Sequence, residues 1–370
     1  MDTRSRPAVG TSGPGTDPVS LRLITVAVLA GLVVSGIVVV SRHAGGADPS
    51  PPQATGQPTM RLLSQAARAC HSMTYAGVEV LGASDGPGPA TSVMSVWHTP
   101  GGVTLAKTLA AVPPRPGEAP HIVLPVSSLS GEALVGSVML GMSARLVTLL
   151  SRNYRVAAAG WGQVAGRQAR VVTATRRDGK LAAKFWLDSA TTLPLRRQTF
   201  DGRGDMVSEA VFTKLTVGHG AAAQSAGAAP RQWVTASPAR LRAQGWPLPG
   251  PLPDNLVLLG ARQDSTPEGP VIDLDYSDGL SLVSVFLQRG HLQPPLAGWS
   301  RMVMRGSPVY VDASHGQAFV WSAQGFVYTV VAAAPPQTVA QVVAALPHGS
   351  PGLLARMRQG LRRLLSWLTP

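Results

Sequence analysis

The longest apolar run of the chain covers residues 23–40 and reads LITVAVLAGLVVSGIVVV. It contains no charged residue, only Thr25 and Ser35 are polar, and an arginine lies next to it on each side. A helix needs about 20 mostly apolar residues to cross the hydrocarbon core of a bilayer. A helix buried in a protein core, the alternative, would normally have one polar face. Because this run is apolar on all sides, residues 21–41 are predicted to form a transmembrane helix.

The charges around this run favour an N-terminus inside the cell. Arg4, Arg6 and Arg22 outweigh the two aspartates that precede the run, and positive residues tend to stay on the cytoplasmic side. A cleaved signal peptide is the alternative, because Gly45-Gly46-Ala47 offers small residues to a peptidase. The apolar part of a signal peptide usually has only about 7–15 residues, however. We therefore expect an uncleaved anchor in the cell membrane.

The predicted single-pass topology has a cytoplasmic tail at residues 1–20 and an extracytoplasmic remainder. Residues 42–59 are rich in Gly, Pro and Ala and are predicted to be a linker.

Short alternating runs dominate the first part of the chain after this linker. Residues 60–70 and 135–150 have helical spacing, whereas short strands follow one another through residues 154–217. Asp178-Gly179 and Asp201-Gly202 separate some of these strands, and Asp-Gly between alternating runs is a strong hairpin signal. The pattern predicts an α+β fold that is mainly antiparallel β, with a first domain at residues 60–217.

A second domain is predicted after the Ala/Gly-rich stretch at residues 218–240, which has no periodicity and is interpreted as a linker. Short strands alternate with turns through residues 241–346, and Pro335-Pro336 begins a final helix. This domain is predicted to be smaller and of mixed α/β type.

The net charge of +13 comes almost wholly from arginine, since the chain has only four lysines. Codon bias in a GC-rich genome would explain the arginines, and attraction to an anionic membrane surface or an acidic partner is the functional alternative. Nucleic acid is not an expected partner of an exported domain. Cys70 is the only cysteine, so an intrachain disulfide is excluded, and a buried, inert thiol is expected.

The chain carries no recognisable catalytic or metal-binding motif. Its eight histidines form no close pair, and neither a GxSxG sequence nor a P-loop occurs. The run from Asp273 to Gly279 resembles a calcium loop, but its twelfth position is Ser284 rather than Glu. A strand followed by an Asp278-Gly279 turn is the preferred interpretation. We therefore expect no enzyme activity, no catalytic residue, no metal and no cofactor.

The apolar face of an open antiparallel sheet must be covered by a helix, a ligand or a partner. Trp97, Phe185, Trp186 and Phe212 are the candidate residues of a hydrophobic ligand groove. Because neighbouring residues of a strand face opposite ways, only one of Phe185 and Trp186 points inward. Ordinary core packing is the alternative for each of the four.

Residues 351–370 are predicted to form a basic amphipathic helix without any acidic residue. One face is apolar and the other is cationic, which is typical of a helix that lies on a membrane surface. Docking on its own domain or on a partner is the alternative. The apolar face contains Leu353, Leu354, Met357, Leu361, Leu364, Leu365, Trp367 and Leu368, and the cationic face contains Arg356, Arg358, Arg362 and Arg363.

Several motifs, in this order, give the chain a family resemblance. Phe185-Trp186-Leu187-Asp188 is followed by Leu193-Pro194-Leu195-Arg196, then by the run YSDGLS at residues 276–281, and then by Pro335-Pro336-Gln337-Thr338. With these motifs the chain resembles the MucB/RseB family, regulators of extracytoplasmic sigma-factor pathways, over roughly residues 60–346.

This resemblance implies an N-terminal half-barrel like that of the lipoprotein carrier LolA, with covering helices, and a smaller C-terminal domain. It also implies binding to a transmembrane anti-sigma factor, which is shielded from proteolysis until a lipid-like signal is sensed. The predicted anchor and the C-terminal helix depart from the better-known members of the family. A carrier or chaperone for lipids or lipoproteins is the alternative function for the same half-barrel.

Overall fold

The computed structural model describes most of the chain between residues 57 and 349. The predicted anchor at residues 21–41, residues 42–56 of the predicted linker and the predicted helix at 351–370 lie outside the described residues. The linker prediction, residues 42–59, is wrong at its end, because residues 57–59 already form the start of a helix. Within the described part, no helix has both the length and the apolar character that a membrane crossing requires. The described ranges are residues 57–83, 90–100, 104–110, 142–218, 234–266, 269–293, 296, 299–312 and 318–349.

The described residues form two eight-stranded antiparallel sheets, and each sheet has its own hydrophobic core. We call each sheet with its helices the first and the second domain. This architecture confirms the predicted mainly antiparallel β class. The second domain, predicted to be of mixed α/β type, is itself mainly an antiparallel sheet, with two short helices among its described residues. The domain boundaries remain a prediction, since the second sheet already includes two residues, Val234–Thr235, from the stretch interpreted as a linker.

The strands of the first sheet are arranged in the order β3-β2-β1-β8-β7-β6-β5-β4. Strands β4 to β8 therefore form an antiparallel meander, as the Asp-Gly turns predict, and β1 closes onto β8. The elements are α1 (Gln57–Ser72), β1 (Tyr75–Ala83), β2 (Ala90–His98), β3 (Thr104–Ala110), α2 (Ala144–Asn153), β4 (Arg155–Val164), β5 (Arg167–Thr175), β6 (Leu181–Asp188), β7 (Pro194–Phe200) and β8 (Met206–Val217).

The first sheet is strongly curved. Strand β4 lies at one edge and yet approaches β8, although three strands, β5 to β7, lie between them in the sheet. A bulge between Ala158 and Trp161 bends β4, and Gly160 supplies the positive φ of 88° that the bend uses. The sequence predicts two separate strands here, whereas the structure has one bent strand.

Helices α1 and α2 cover one face of the first sheet. Helix α2 begins at Ala144, because Ser143 is its N-cap and accepts a hydrogen bond from the Leu146 N–H at 3.2 Å. The predicted helix at residues 135–150 is therefore wrong at residues 142–143, which are extended, and its residues 135–141 lie outside the described part. Cys70 on α1 is buried, and burial raises the pKa of its thiol to about 12, which agrees with an inert thiol.

The strands of the second sheet are arranged in the order β13-β14-β15-β16-β12-β11-β10-β9. Helix α4 and the segment around Trp246 cover its core, in which the rings of Trp321 and Tyr328 stack at 5.4 Å. The elements are β9 (Val234–Thr235), α3 (Pro238–Ala243), β10 (Val257–Thr266), β11 (Gly269–Ser277), β12 (Leu282–Arg289), β13 (Trp299–Met304), β14 (Ser307–Asp312), β15 (Ala318–Ala323), β16 (Phe326–Ala333) and α4 (Pro336–Ala345).

A charged cluster is buried within the second sheet. Arg262 on β10 donates hydrogen bonds to Asp273 at 2.5 Å and Asp275 at 2.9 Å, and Ser284 donates to Asp275 at 2.7 Å. Burial and the neighbouring Asp275 raise the pKa of Asp273, and Arg262 opposes that shift. The acidic residues that resemble a calcium loop thus face an arginine, and the run is a strand followed by a turn, as predicted.

We predict that Asp273→Asn flattens the pH dependence of stability. Folded Asp273 retains its proton above the ordinary carboxyl pKa of about 3.9, at which the unfolded chain releases it. Its contribution to the unfolding free energy is therefore complete below that pKa and is lost as the pH rises through the raised folded value. Urea denaturation across this pH range should show a smaller fall in stability for the variant than for the unchanged protein.

The comparison reports on Asp273 together with Asp275, because the charges of these two carboxyl groups interact and burial raises the pKa of both, whereas the carboxyl groups elsewhere are the same in both proteins. Asp188, whose pKa is lowered mainly by Arg167 and Thr191 despite its burial, has the opposite pH dependence and is present in each protein. Equal slopes for both proteins would show that Asp273 does not exchange a proton on unfolding.

Candidate functional site

The turn between β11 and β12, residues 277–281, reaches the first domain, and we call it the tip loop. Its shape is fixed by its own side chains. Ser277 Oγ donates to the Ser281 carbonyl at 2.6 Å and accepts from the Gly279 N–H at 2.9 Å. Asp278 Oδ1 accepts from the N–H groups of Leu280 and Ser281 at 2.8 and 2.7 Å. The tip loop is therefore preorganised by local hydrogen bonds.

Polar contacts join the tip loop to the end of α2 in the first domain. Tyr154 donates its hydroxyl hydrogen to Asp278 Oδ2 at 2.5 Å, and Asn153 Nδ2 donates to the Asp278 carbonyl at 2.8 Å. Arg197 on β7 donates to the carbonyl of Leu280. Two charged side chains, Asp278 and Arg197, thus lie at the domain junction, where their hydrogen bonds offset part of the cost of burial.

Apolar packing and backbone fit complete this contact. The Leu280 side chain is 7 % exposed and belongs to the first domain's core cluster, together with Leu63, Val147 and Phe185. Gly279 has a positive φ of 102°, and a Cβ atom there would lie 2.7 Å from Leu150 Cα. Only glycine therefore combines this backbone conformation with the close approach to α2.

Burial shifts the pKa values of three ionisable groups at the junction, and their interactions with one another modify these shifts. Burial raises the pKa of Asp278, while the hydrogen bond from Tyr154 and those of the tip loop oppose the shift. Burial raises the pKa of Tyr154, and the charge of Asp278 adds to this effect. Burial lowers the pKa of Arg197, and Asp278 opposes that shift. The phenol thus remains a hydrogen-bond donor to the carboxylate at physiological pH.

A polar cleft of about 520 Å³ lies beside the tip loop, between the two domains. The first domain supplies the end of α2 and the β5–β6 and β7–β8 turns, and the second domain supplies the tip loop, the segment before β10 and the start of α4. The cleft is lined by Asn153, Tyr154, Arg176, Arg177, Gly202, Arg203, Asp254, Asn255, Asp278, Ser281, Pro335, Gln337 and Thr338.

The first-domain wall of the cleft is basic. The Arg176 guanidinium donates to the carbonyls of Leu181 and Asp201, at 2.8 and 2.9 Å, and so ties the β5–β6 turn to the β7–β8 turn. Arg177 and Arg203 extend from these two turns and are exposed. The wall therefore presents two exposed guanidinium groups on turns that Arg176 ties together, an arrangement suited to carboxylate groups.

The second-domain wall is more polar than charged. Asp254 and Asn255 both have a φ of 58°, a left-handed conformation that Asp and Asn tolerate better than most residues. Asp254 accepts a hydrogen bond from the Thr338 hydroxyl at 2.6 Å, which links this segment to α4. On the other side of the junction Arg145 donates to the carbonyls of Leu258 and Leu259. No group of three His, Cys, Asp or Glu residues in the described part is arranged to hold a metal ion.

The structure does not bring the four predicted groove residues together. Phe185 and Phe212 are 3 % and 4 % exposed and lie on the helix-covered face, in two neighbouring core clusters. Trp97 alternates with the buried residues Met94 and Val96 of β2, so it faces the other side of the sheet.

Trp186 also lies on the side opposite the helices, where it is half-buried. The Arg196 guanidinium stacks on its ring at 4.7 Å, and the same arginine pairs with Glu209 at 2.6 Å. A Cβ atom at Gly162 would lie 2.9 Å from the Trp186 ring, so glycine lets the indole approach β4. Phe185 and Trp186 thus point to opposite faces, as alternation predicts, and a groove of all four aromatics stays a prediction.

The candidate membrane or partner helix at residues 351–370 lies outside the described residues. The interdomain cleft was not predicted from the sequence, although one signal pointed towards it. Asp178-Gly179, Asp201-Gly202 and Asp278-Gly279 are recognisable as turns, and all three lie at this junction. Sequence pattern locates such turns along the chain but does not show which of them meet in space.

The chain is similar to solved structures of MucB. One match is a crystal structure of MucB, with 21 % sequence identity and a TM-score of 0.48. The matched region covers 79 % of this chain and 99 % of the MucB chain. MucB in complex with MucA(peri) gives the same identity and coverage with a TM-score of 0.43. The Pseudomonas aeruginosa MucA/MucB complex is 21 % identical, covering 80 % and 100 %, with a TM-score of 0.41.

No curated protein matches the chain. The MucB/RseB N-terminal domain family matches residues 125–236, a range that begins before α2 and continues through β8. This range contains the Phe185–Asp188 and Leu193–Arg196 motifs on which the resemblance rests in the first domain. The resemblance is thus confirmed: residues 125–236 match the MucB/RseB N-terminal domain family.

Proposed function

We propose that the protein is a non-enzymatic, membrane-anchored regulator that binds a transmembrane anti-sigma factor outside the cytoplasm. The observation that carries this proposal is the family match over residues 125–236. The relative described as MucB in complex with MucA(peri) supports the same class of partner. The bulk of the chain would lie outside the cytoplasm, and the apolar run at residues 23–40 would hold it in the cell membrane.

We place the partner in the interdomain cleft. Its volume of about 520 Å³ accommodates a few side chains of a peptide segment, and both of its walls carry polar side chains. The exposed cations of Arg177 and Arg203 fit acidic side chains on that segment, because a basic wall steers and orients a partner of opposite charge. The experiment that tests this function is therefore a binding measurement with charge-reversed cleft variants.

We expect Arg177→Glu together with Arg203→Glu to weaken binding of the anti-sigma factor's extracytoplasmic segment by at least about tenfold, or about 1.4 kcal/mol. Reversal replaces attraction by like-charge repulsion at both turns. Titration calorimetry with the full-length protein in detergent measures the effect. Lys214→Glu together with Arg301→Glu is the matched control, because it makes the same change in net charge at two exposed residues outside the cleft. Equal losses in the control and the cleft variant would point to net charge, and no binding by the unchanged protein would refute the function.

A lipid-like ligand belongs to the same proposal. We propose that it lies along the face of the LolA-like half-barrel opposite the helices, next to Trp186, where the indole is half-buried rather than fully enclosed. Phe185 and Phe212, by contrast, are enclosed in the core, so that a charge placed at either would unfold the domain.

We expect protein purified from membranes to carry lipid that native mass spectrometry detects, and Trp186→Ala to lose most of it. Trp161→Ala is the control, because Trp161 is 55 % exposed and its removal costs little packing. Both variants should remain folded; the melting temperature should stay close to that of the unchanged protein for Trp161→Ala and fall for Trp186→Ala, because the Trp186 ring packs against β4 and Arg196. Equal lipid in Trp186→Ala and in the control would assign Trp186 to the scaffold instead.

The helix at residues 351–370 is proposed to hold the second domain against the membrane. Its four arginines gain on the order of 1 kcal/mol each near an anionic surface before screening, and its apolar face adds burial. A peptide of these residues should become helical on anionic vesicles and dissociate as salt rises. A control peptide with glutamine at the four arginine positions should bind far less. Failure of the natural peptide to fold on vesicles, with lower thermal stability when the segment is deleted, would assign the helix to the fold.

A further inference from the structure

Besides the hydrogen bonds from Arg145 to the Leu258 and Leu259 carbonyls, the domain contacts described above are made by the tip loop, which supplies the buried ones. The loop places Leu280 within the first domain's core cluster, Asp278 against Tyr154, and Gly279 against the backbone of α2. All these contacts are non-covalent, and they come from one five-residue turn. We propose that the tip loop is a reversible latch, and that its docking in the first domain forms the interdomain cleft.

The loop is built to dock and undock as a unit. The hydrogen bonds that fix its shape lie within residues 277–281, so they persist when the loop leaves the first domain. Docking therefore orders few additional backbone dihedral angles, which keeps its entropic cost low. The first domain presents the matching donors, Tyr154 and Asn153, where α2 ends and β4 begins.

Opposing contributions keep the docked state from being strongly favoured. Docking buries the apolar Leu280 side chain, which is favourable, but it also removes the Asp278 carboxylate and the Arg197 guanidinium from water. The hydrogen bonds to Asp278 offset part of that desolvation. Undocking returns both charges to water, so the two states lie closer in free energy than the number of contacts suggests.

The cleft depends on the docked loop because they share residues. Asn153 and Tyr154 line the cleft and also donate to the loop, and Asp278 and Ser281 belong to the loop and also line the cleft. Withdrawal of the loop would separate the two walls. A partner bound in the cleft would then favour the docked state, and any change that undocks the loop would release the partner. This regulatory use rests on the proposed function, whereas the latch itself does not.

The test compares two glycines of the second domain that differ in surroundings. Gly279 and Gly269 have φ angles of 102° and 115°, so alanine strains the backbone at both positions. A Cβ atom at Gly279 would collide with α2, whereas at Gly269 it would meet nothing within 4 Å. Spin labels attached through Arg203→Cys and Asn255→Cys, exposed on opposite walls of the cleft, report their separation by pulsed electron paramagnetic resonance. Cys70 stays unlabelled because it is buried.

We expect Gly279→Ala in the full-length protein to shift the distance distribution to longer values, while Gly269→Ala leaves it unchanged. Circular dichroism checks that both variants remain folded. Leu280→Ala keeps the backbone free of the clash and removes only the apolar anchor, so it should add a long-distance population even where Gly279→Ala does not fold. If Gly279→Ala and Leu280→Ala are both folded and their label-to-label distance distributions match that of the unchanged protein, the latch proposal is wrong. The measurement contains no partner, so a failure of the proposed function would not alter its result.

Discussion

The Asp278 carboxylate is the contact on which the arrangement of the two domains depends. One of its oxygens accepts two hydrogen bonds from the backbone of its own turn, and the other accepts the hydroxyl hydrogen of Tyr154. The first pair shapes the turn, and the second joins that turn to the other domain. A charged group that is 4 % exposed persists only when such donors surround it. The geometry of the junction is therefore specified by donors from both domains at once.

Around this carboxylate, apolar packing holds the tip loop in place, and hydrogen bonds set its orientation. Leu280 contributes burial, which has no preferred direction, while the donors to Asp278 and to the Leu280 carbonyl fix the angle at which the turn enters. The cleft lies beside the docked tip loop. Its first-domain wall includes the β5–β6 and β7–β8 turns, and its second-domain wall includes the tip loop itself. The basic character of one wall comes from turn residues, Arg177 and Arg203, rather than from strands. Changes at those two positions can alter the partner without altering the sheets.

Local pattern predicted most strands and the turns between them, because alternation and Asp-Gly pairs are properties of a few adjacent residues. It predicted the opposite orientation of Phe185 and Trp186 for the same reason. It did not predict that β4 is one bent strand, since a glycine inside an alternating run is compatible both with a turn between two strands and with a bulge in one strand. Nor did it predict the cleft: the YSDGLS run at residues 276–281 was recognisable as a motif and a turn, but its contact with α2 joins residues about 125 positions apart.

Because Leu280 of the second domain fills part of the first domain's core, the first domain cannot complete its core until residue 280 has been synthesised. N-terminal domains generally fold first, so the first domain would fold before the second one is made. Until residue 280 is delivered, the space that its side chain occupies among Leu63, Val147 and Phe185 stays unfilled, and the carboxylate that pairs with Tyr154 is missing. The newly folded first domain therefore passes through a period in which an apolar gap in its core is accessible. Chaperones and proteases of its compartment would meet that gap, and arrival of the second domain closes it.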